Sequence, residues 1–185
     1  MKLIVGLGNY DPHYDNTRHN AGFSVIDTFA GAHSLDWQTK DKFKADIAEG
    51  VVAGEKVILV KPRTYYNLSG DAVLAVKQFY KIENADILVI HDELALPFGT
   101  LRTRIGGSDA GNNGLKSIIA TVGVDVARIR MGIANDLLSR QPAADFVLSR
   151  FTADEQSKMP EIKKHALELI GVFIAGDFAH TTKNV

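Results

Sequence analysis

The chain has 185 residues, 45% hydrophobic and 23% charged, a globular composition at a length that suits one domain, since chains divide mostly beyond about 250 residues. It has no cysteine, which excludes disulfides and thiolate nucleophiles or metal ligands, and its net charge of −1 gives no general bias towards nucleic acid. The amino terminus, MKLIVGLGN, has an apolar run far short of the ~20 residues of a membrane span and no small-residue cleavage pattern, so a soluble, cytoplasmic protein is expected.

In chain order, Lys2 to Leu7 reads as a buried strand, followed by a loop holding Gly8, Asn9 and Tyr14. Thr17-Arg18-His19-Asn20-Ala21-Gly22 leads into a helix over 22–30, with Phe23, Ile26 and Phe29 on one face. Residues 43–52 and 55–61 form two strands about an Ala53-Gly54 turn, and the unbroken apolar run Val57 to Val60 makes the second one central. A loop starts at Pro62, which cannot donate to a ladder, and a helix over 68–80 follows with Asn67 as its N-cap. Residues 86–91 are a buried strand ending at His91-Asp92-Glu93, and 99–105 are a strand with Arg102 and Arg104 on its polar face. The Gly- and Asn-rich turn 106–114 opens a helix to about Val122, and 126–134 alternate as another strand. Thr152-Ala153-Asp154-Glu155 is a capping box for a last helix with Ile162, Ala166, Leu169, Ile170 and Phe173 on its apolar face. Interspersed strands and helices without a repeat predict an α/β fold: one domain over 1–185, a mixed twisted sheet with helices on both faces.

Several standard sites do not fit. Gly6-Leu7-Gly8 begins like a dinucleotide fingerprint, but Asp11 stands at the third glycine position and Pro12 follows where the helix should run. No Walker sequence, Gly-x-Ser-x-Gly elbow or His-Glu-x-x-His occurs. His91-Asp92-Glu93 cannot converge on one ion while the strand continues, because successive side chains alternate faces.

What remains is a set of polar residues at strand ends and helix starts: Asn9, His19, Asn67, Asp92 and Asn113. His19 can exchange protons near neutrality, and Asp92 can accept a hydrogen bond from one imidazole nitrogen and fix its tautomer. Asn67 and Asn113 could hold an oxyanion or carbonyl, or serve only as caps. Between 102 and 130, Arg102, Arg104, Lys116, Arg128 and Arg130 outnumber Asp109 and Asp125, a local surplus that could hold a few phosphates or be a solvated strand face.

Together these blocks resemble the bacterial-type peptidyl-tRNA hydrolase family. The match lies in Val5-Gly6-Leu7-Gly8-Asn9, Tyr14, residues 17–22, Lys61-Pro62, Thr64-Tyr65, Asn67-Leu68-Ser69-Gly70, His91-Asp92-Glu93-Leu94, Leu96-Pro97, Gly99, Gly106-Gly107-Ser108 and residues 113–118. The resemblance implies a monomeric α/β enzyme that hydrolyses the ester between a peptide and the terminal ribose of tRNA, without metal or cofactor. It implies that His19 activates the water, Asp92 orients His19, and Asn9 tells a blocked amino acid from a free one. Tyr14, Tyr65, Asn67 and Asn113 match positions that contact the peptide or the tRNA end, and Arg104 and Arg130 match basic positions near the acceptor stem.

The chain departs from the family pattern at the rim of this expected site. Tyr10-Asp11 replace Pro-Gly, Tyr66 replaces Met, Ala95 replaces Asp, Asn112 replaces His, and Ala134-Asn135-Asp136 replace Gly-Arg-Pro or Gly-His-Pro. A second reading is therefore a weakly active or non-catalytic paralogue that binds the tRNA acceptor end. His19 and Asp92 within hydrogen-bond reach around an open cleft would favour the enzyme; a filled cleft, with Tyr66 covering His19, would favour the binder.

Overall fold

The computed structural model describes residues 1–185. Its strands are β1 (Lys2–Gly6), β2 (Gln38–Lys40), β3 (Ala45–Val52), β4 (Glu55–Pro62), β5 (Ile87–Pro97), β6 (Thr100–Ile105), β7 (Ala127–Ala134) and β8 (Thr182–Asn184). The helices are α1 (Ala21–Ala32), α2 (Ser69–Tyr80), α3 (Asn113–Val122), α4 (Ala143–Leu148) and α5 (Ala153–Ala175). All strands join one mixed sheet in the order β2-β3-β4-β1-β5-β7-β6-β8. The central strands β4, β1, β5 and β7 are parallel, and antiparallel strands extend both edges.

The alternation of side chains along the central strands divides the core into two layers. Ile4, Leu59, Leu88, Ile90 and Ile129 face α1 and α5, where Val25, Ile26, Phe29, Ile162, Ala166 and Ile170 cover them. Leu3, Val5, Ile58, Val60, Ile87 and Val89 face α2 and α3, under Ala72, Val73, Val76, Leu115 and Ile118. Burial on both faces explains why these strands read as continuous apolar runs. The α/β architecture with helices on both faces is the one the sequence predicts.

Four local expectations need correction. Asn67 is not an N-cap: it lies exposed in a 3-10 turn (Tyr66–Leu68) that precedes α2, and no side chain caps that helix. Pro62 ends β4, paired with Ala45, because the last residue of a strand can lack a donor. The strand expected to stop at His91-Asp92-Glu93 runs on to Pro97, with its register against β7 broken between Glu93 and Pro97. It continues because each charge is met: Glu93 pairs with Arg130 at 3.0 Å and accepts from the Ala95 amide, while Asp92 has several donors. Finally, Arg128 belongs to the interior and not to a solvated patch, since its guanidinium donates to the carbonyls of Ser108 and Gly107.

The capping box of α5 is present as predicted: the Thr152 hydroxyl accepts from the Glu155 amide, and the Glu155 carboxylate accepts from the Thr152 amide. Glu155 also receives two bonds from the buried Arg18 guanidinium, at 3.0 and 2.6 Å, and Phe146 and Phe151 lie against that guanidinium. The Arg18 amide bonds to the Ser149 carbonyl. The turn bearing the next residue, His19, is thereby fastened to the start of α5.

Candidate active site

The site forms where the parallel strands end. After β1, Leu7 donates to the Ile90 carbonyl of β5 and accepts from the Phe23 amide of α1, so the loop, the helix and β5 are drawn together. Gly22 permits that approach: a Cβ there would lie 2.6 Å from the Leu7 nitrogen. Larger residues would push α1 away from the strands and carry the adjacent 3-10 turn, Arg18–Asn20, with it.

From that turn His19 reaches Asp92 in β5. Its Nδ1 lies 3.0 Å from Asp92 Oδ2, and a carboxylate acceptor at that nitrogen selects the Nδ1–H tautomer. His19 Nε2 has no partner in the chain and is not a buried atom, so solvent reaches it. Asp92 is only 3% exposed, and its second oxygen accepts from the Tyr66 hydroxyl at 3.0 Å and the Asn112 amide at 3.1 Å. The Tyr66 ring stacks on His19, with centroids 3.7 Å apart and planes 23° from parallel. Burial, and then the charge of Asp92, push the Tyr66 phenol well above its ordinary value, so it stays neutral and a donor.

Both marks named for the rival readings are therefore present. His19 and Asp92 are in hydrogen-bond reach, and Tyr66 lies on one face of the imidazole, but it does so without capping Nε2. Tyr66 and Asn112, which the sequence places at the rim, sit against the carboxylate itself. Their role is not visible in any local pattern, because the two residues are 46 positions apart and meet only through the fold.

Asn9 is half-buried after β1, and the Asn20 side chain clasps its backbone from both sides: Asn20 Oδ1 accepts from the Asn9 amide at 2.8 Å, and the Asn20 side-chain NH₂ donates to the Asn9 carbonyl at 3.0 Å. The Asn9 side-chain amide makes no bond within the chain and lines a groove of about 960 Å³ with Tyr10, Phe23, Lys61 and Lys163. Asn20 is a positioning residue that residue-type reasoning passed over; its signal is its place one step after His19. Asn113 is exposed at the start of α3, and the cap there is Asn112, whose Oδ1 accepts from the Leu115 amide. Tyr65 is 76% exposed, and Tyr14 is half-exposed in a separate 3-10 turn (Pro12–Tyr14). Neither tyrosine, nor Asn67 or Asn113, bonds to His19 or Asp92.

Three of the other departures are absorbed locally. Asp11 accepts from the His13 amide, Tyr10 stands exposed with Arg63 over its ring, and Asn135 caps a 3-10 turn while donating to Glu155.

Arg104 and Arg130 come together in a second cleft, of about 440 Å³, with Arg102, His180, Thr181 and Thr182. Arg102 sits directly opposite Arg130 across the β6–β7 ladder, and Arg104 opposite Arg128. Like charges so placed are unfavourable, and they are offset only in part, by Glu93 on Arg130 and by the Ser108 and Gly107 carbonyls on Arg128. Burial, followed by the charges of Arg104 and Arg130, holds the Arg128 guanidinium below its ordinary value. Chain-wide, no three His, Asp or Glu side chains are grouped to hold a metal ion, and no helix is long and apolar enough to cross a membrane.

A buried carboxylate that orients a solvent-reached imidazole at the ends of parallel strands has the make-up of a general-base site on an α/β scaffold, the class to which many hydrolases belong. The particular family follows from comparison with known proteins. A family profile described as peptidyl-tRNA hydrolase matches residues 3–185. A peptidyl-tRNA hydrolase of Levilactobacillus brevis is 44% identical over 177 residues, covering 95% of this chain and 94% of its own, and one of Chloroflexus aggregans is 45% identical at 95% and 93% coverage. The crystal structure of peptidyl-tRNA hydrolase from Acinetobacter baumannii superposes with a TM-score of 0.89 at 36% identity, covering 95% of this chain and 89% of that one. The chain belongs to the peptidyl-tRNA hydrolase family.

Proposed function

We propose that the protein hydrolyses the ester that joins a peptide, or another N-blocked aminoacyl group, to the 3′-terminal ribose of tRNA. The observation that carries this reading is the His19–Asp92 bond with Nε2 left open to solvent, in a chain of this family. In the reaction, Nε2 takes a proton from water as the water oxygen attacks the ester carbonyl. The Nδ1–H bond to Asp92 stabilises the imidazolium that forms. The carbon–oxygen bond to the ribose then breaks, the imidazolium returns its proton to the leaving 3′ oxygen, and a peptide carboxylic acid and free tRNA result. Water and a proton relay suffice, so the chemistry asks for no redox or group-carrying cofactor.

Asn9 reads the substrate. Its free amide can pair with the neutral amide of a blocked amino group, which a charged ammonium cannot match in both donor and acceptor. Asn20 holds it in place through the backbone. Tyr14, Tyr65, Asn67 and Asn113, exposed or half-exposed about the site, contact the peptide or the tRNA end. Arg104 and Arg130 hold a phosphate of the acceptor stem in the arginine cleft, where three arginines line the space and only Arg130 has a carboxylate partner, Glu93. Residues 1–185 work as one domain, as a monomer, in the cytoplasm.

The second reading, a tRNA-end binder without activity, is favoured by one observation, the Tyr66 ring against His19. Incubating the protein with N-acetyl-aminoacyl-tRNA and with the unblocked form separates the two. The enzyme releases tRNA from the blocked substrate and spares the free one; a binder holds both and cleaves neither.

A further inference from the structure

Asp92 has more donors than a dyad needs. One oxygen serves His19, while the other takes two hydrogen bonds from residues that approach from the opposite side of the sheet end, Tyr66 before α2 and Asn112 before α3. The direction of each bond can be worked out. Asn112 Oδ1 is committed to the Leu115 amide as the cap of α3, so its NH₂ must face Tyr66 Oη at 2.9 Å and Asp92 Oδ1 at 3.1 Å. The phenol oxygen then accepts from Asn112, and its single proton goes to the charged carboxylate at 3.0 Å in preference to the Asn112 oxygen at 3.2 Å. The ring is held as firmly as the hydroxyl. It fills a slot between His19 and Gly114, where a Cβ on residue 114 would come within 2.7 Å of the Tyr66 ring.

We infer that Tyr66 and Asn112 act as one positioning unit for the reaction, locking the Asp92 carboxylate and the His19 ring plane together so that Nε2 is presented to the attacked ester in a single orientation. This rests on the proposed hydrolysis by His19. Tyr66 serves it through two surfaces at once: the hydroxyl fixes where Asp92 points, and the ring face fixes the plane of the imidazole. The raised phenol pKa keeps that proton in place through the neutral range. Tyr66 and Asn112 are also two of the positions at which the chain departs from its family pattern, and they bond each other. Replacing either alone therefore leaves the other with a lost partner inside a nearly closed site.

The unit is tested by a double-mutant cycle. Tyr66→Phe keeps the stacked ring and removes the hydroxyl. Asn112→Ser keeps a capping oxygen for α3 but is too short to reach Asp92. Each single change is expected to lower kcat on N-acetyl-aminoacyl-tRNA about 10-fold with KM within about 2-fold, because the lost orientation matters in the transition state and not in binding. The double variant should fall little further than the worse single one, as groups acting as a unit do. Losses that multiply, a rise in KM with kcat intact, or an equal or faster rate in Tyr66→Phe would overturn the inference; the last would make Tyr66 a cover over the base. An NMR measurement of the His19 ring nitrogens at about pH 8.5, where an ordinary imidazole is neutral, reads the positioning without any turnover. The wild type should show the Nδ1–H tautomer alone, and Tyr66→Phe a mixture of both. If the wild type fails to cleave blocked substrate, hydrolysis by His19 fails, but an unchanged tautomer in Tyr66→Phe is what rejects the positioning unit.

Discussion

At the residue scale, the His19–Asp92 pair was legible because each sits at a junction that sequence pattern can find: an apolar run ending, a helix beginning. The support around it was not. Tyr66 and Asn112 read as losses from a family pattern, yet in space they are donors to the same carboxylate. Asn20 read as part of a motif, yet it grips both backbone groups of Asn9. Two predictions belong here. Asp92→Asn should lower kcat by about 10²–10⁴-fold, because an amide at that place can present its NH₂ to Nδ1 and favour the wrong tautomer; kcat measured against folded protein checks it. Asn9→Ala should narrow the kcat/KM ratio of blocked over unblocked substrate by about 5- to 150-fold, the worth of one unmatched buried polar group. Equal loss on both substrates would mean that Asn9 only shapes its loop.

At the element scale, the long central strands could be read directly and the short edge elements could not. β2 and β8 are three residues each, largely exposed and polar, and exist because a neighbouring strand offers unpaired backbone groups; α4 is a single short helix packed on the turn before α1. β8 and the two residues before it complete the cleft that holds Arg104 and Arg130, through His180, Thr181 and Thr182. If that cleft binds phosphate, tRNA affinity should fall with salt, and Arg104→Gln should flatten the log–log slope by about 0.7–0.9, one contact, with kcat little changed. Arg130→Gln should do the same and also lower stability, because Glu93 loses its buried partner. An unchanged slope in both variants would return these arginines to a solvated strand face.

The fastening of the His19 turn to α5 gives a pH prediction. Burial alone would raise the Glu155 carboxyl, but the hydrogen bonds of Arg18, of the Thr152 amide and of Asn135 outweigh it, and the net shift is below the ordinary value. A carboxyl depressed in the folded state contributes its stability above the unfolded value, about 4.3, and loses it as pH falls through the folded value. Glu155→Gln should therefore cost about 3 kcal/mol or more at neutral pH, and urea midpoints of variant and wild type should converge in acid. A gap that stays constant from neutral pH to about pH 3 would show that the Arg18–Glu155 pair does not carry this charge linkage.

At the scale of the whole molecule, the two apolar layers fix the sheet, and the sheet fixes which loops meet. His19 precedes α1, Tyr66 follows β4, Asp92 lies in β5 and Asn112 precedes α3, so four separate stretches meet around one carboxylate only after the parallel core has formed. The central claim is that the His19 imidazole is the base. It is tested most directly by single-turnover cleavage of N-acetyl-aminoacyl-tRNA by wild type and His19→Ala, with tRNA binding measured in parallel on both. The account predicts that His19→Ala binds tRNA with nearly unchanged affinity and loses at least about 100-fold in rate. A His19→Ala protein that binds normally and keeps more than about a tenth of the wild-type rate would contradict it.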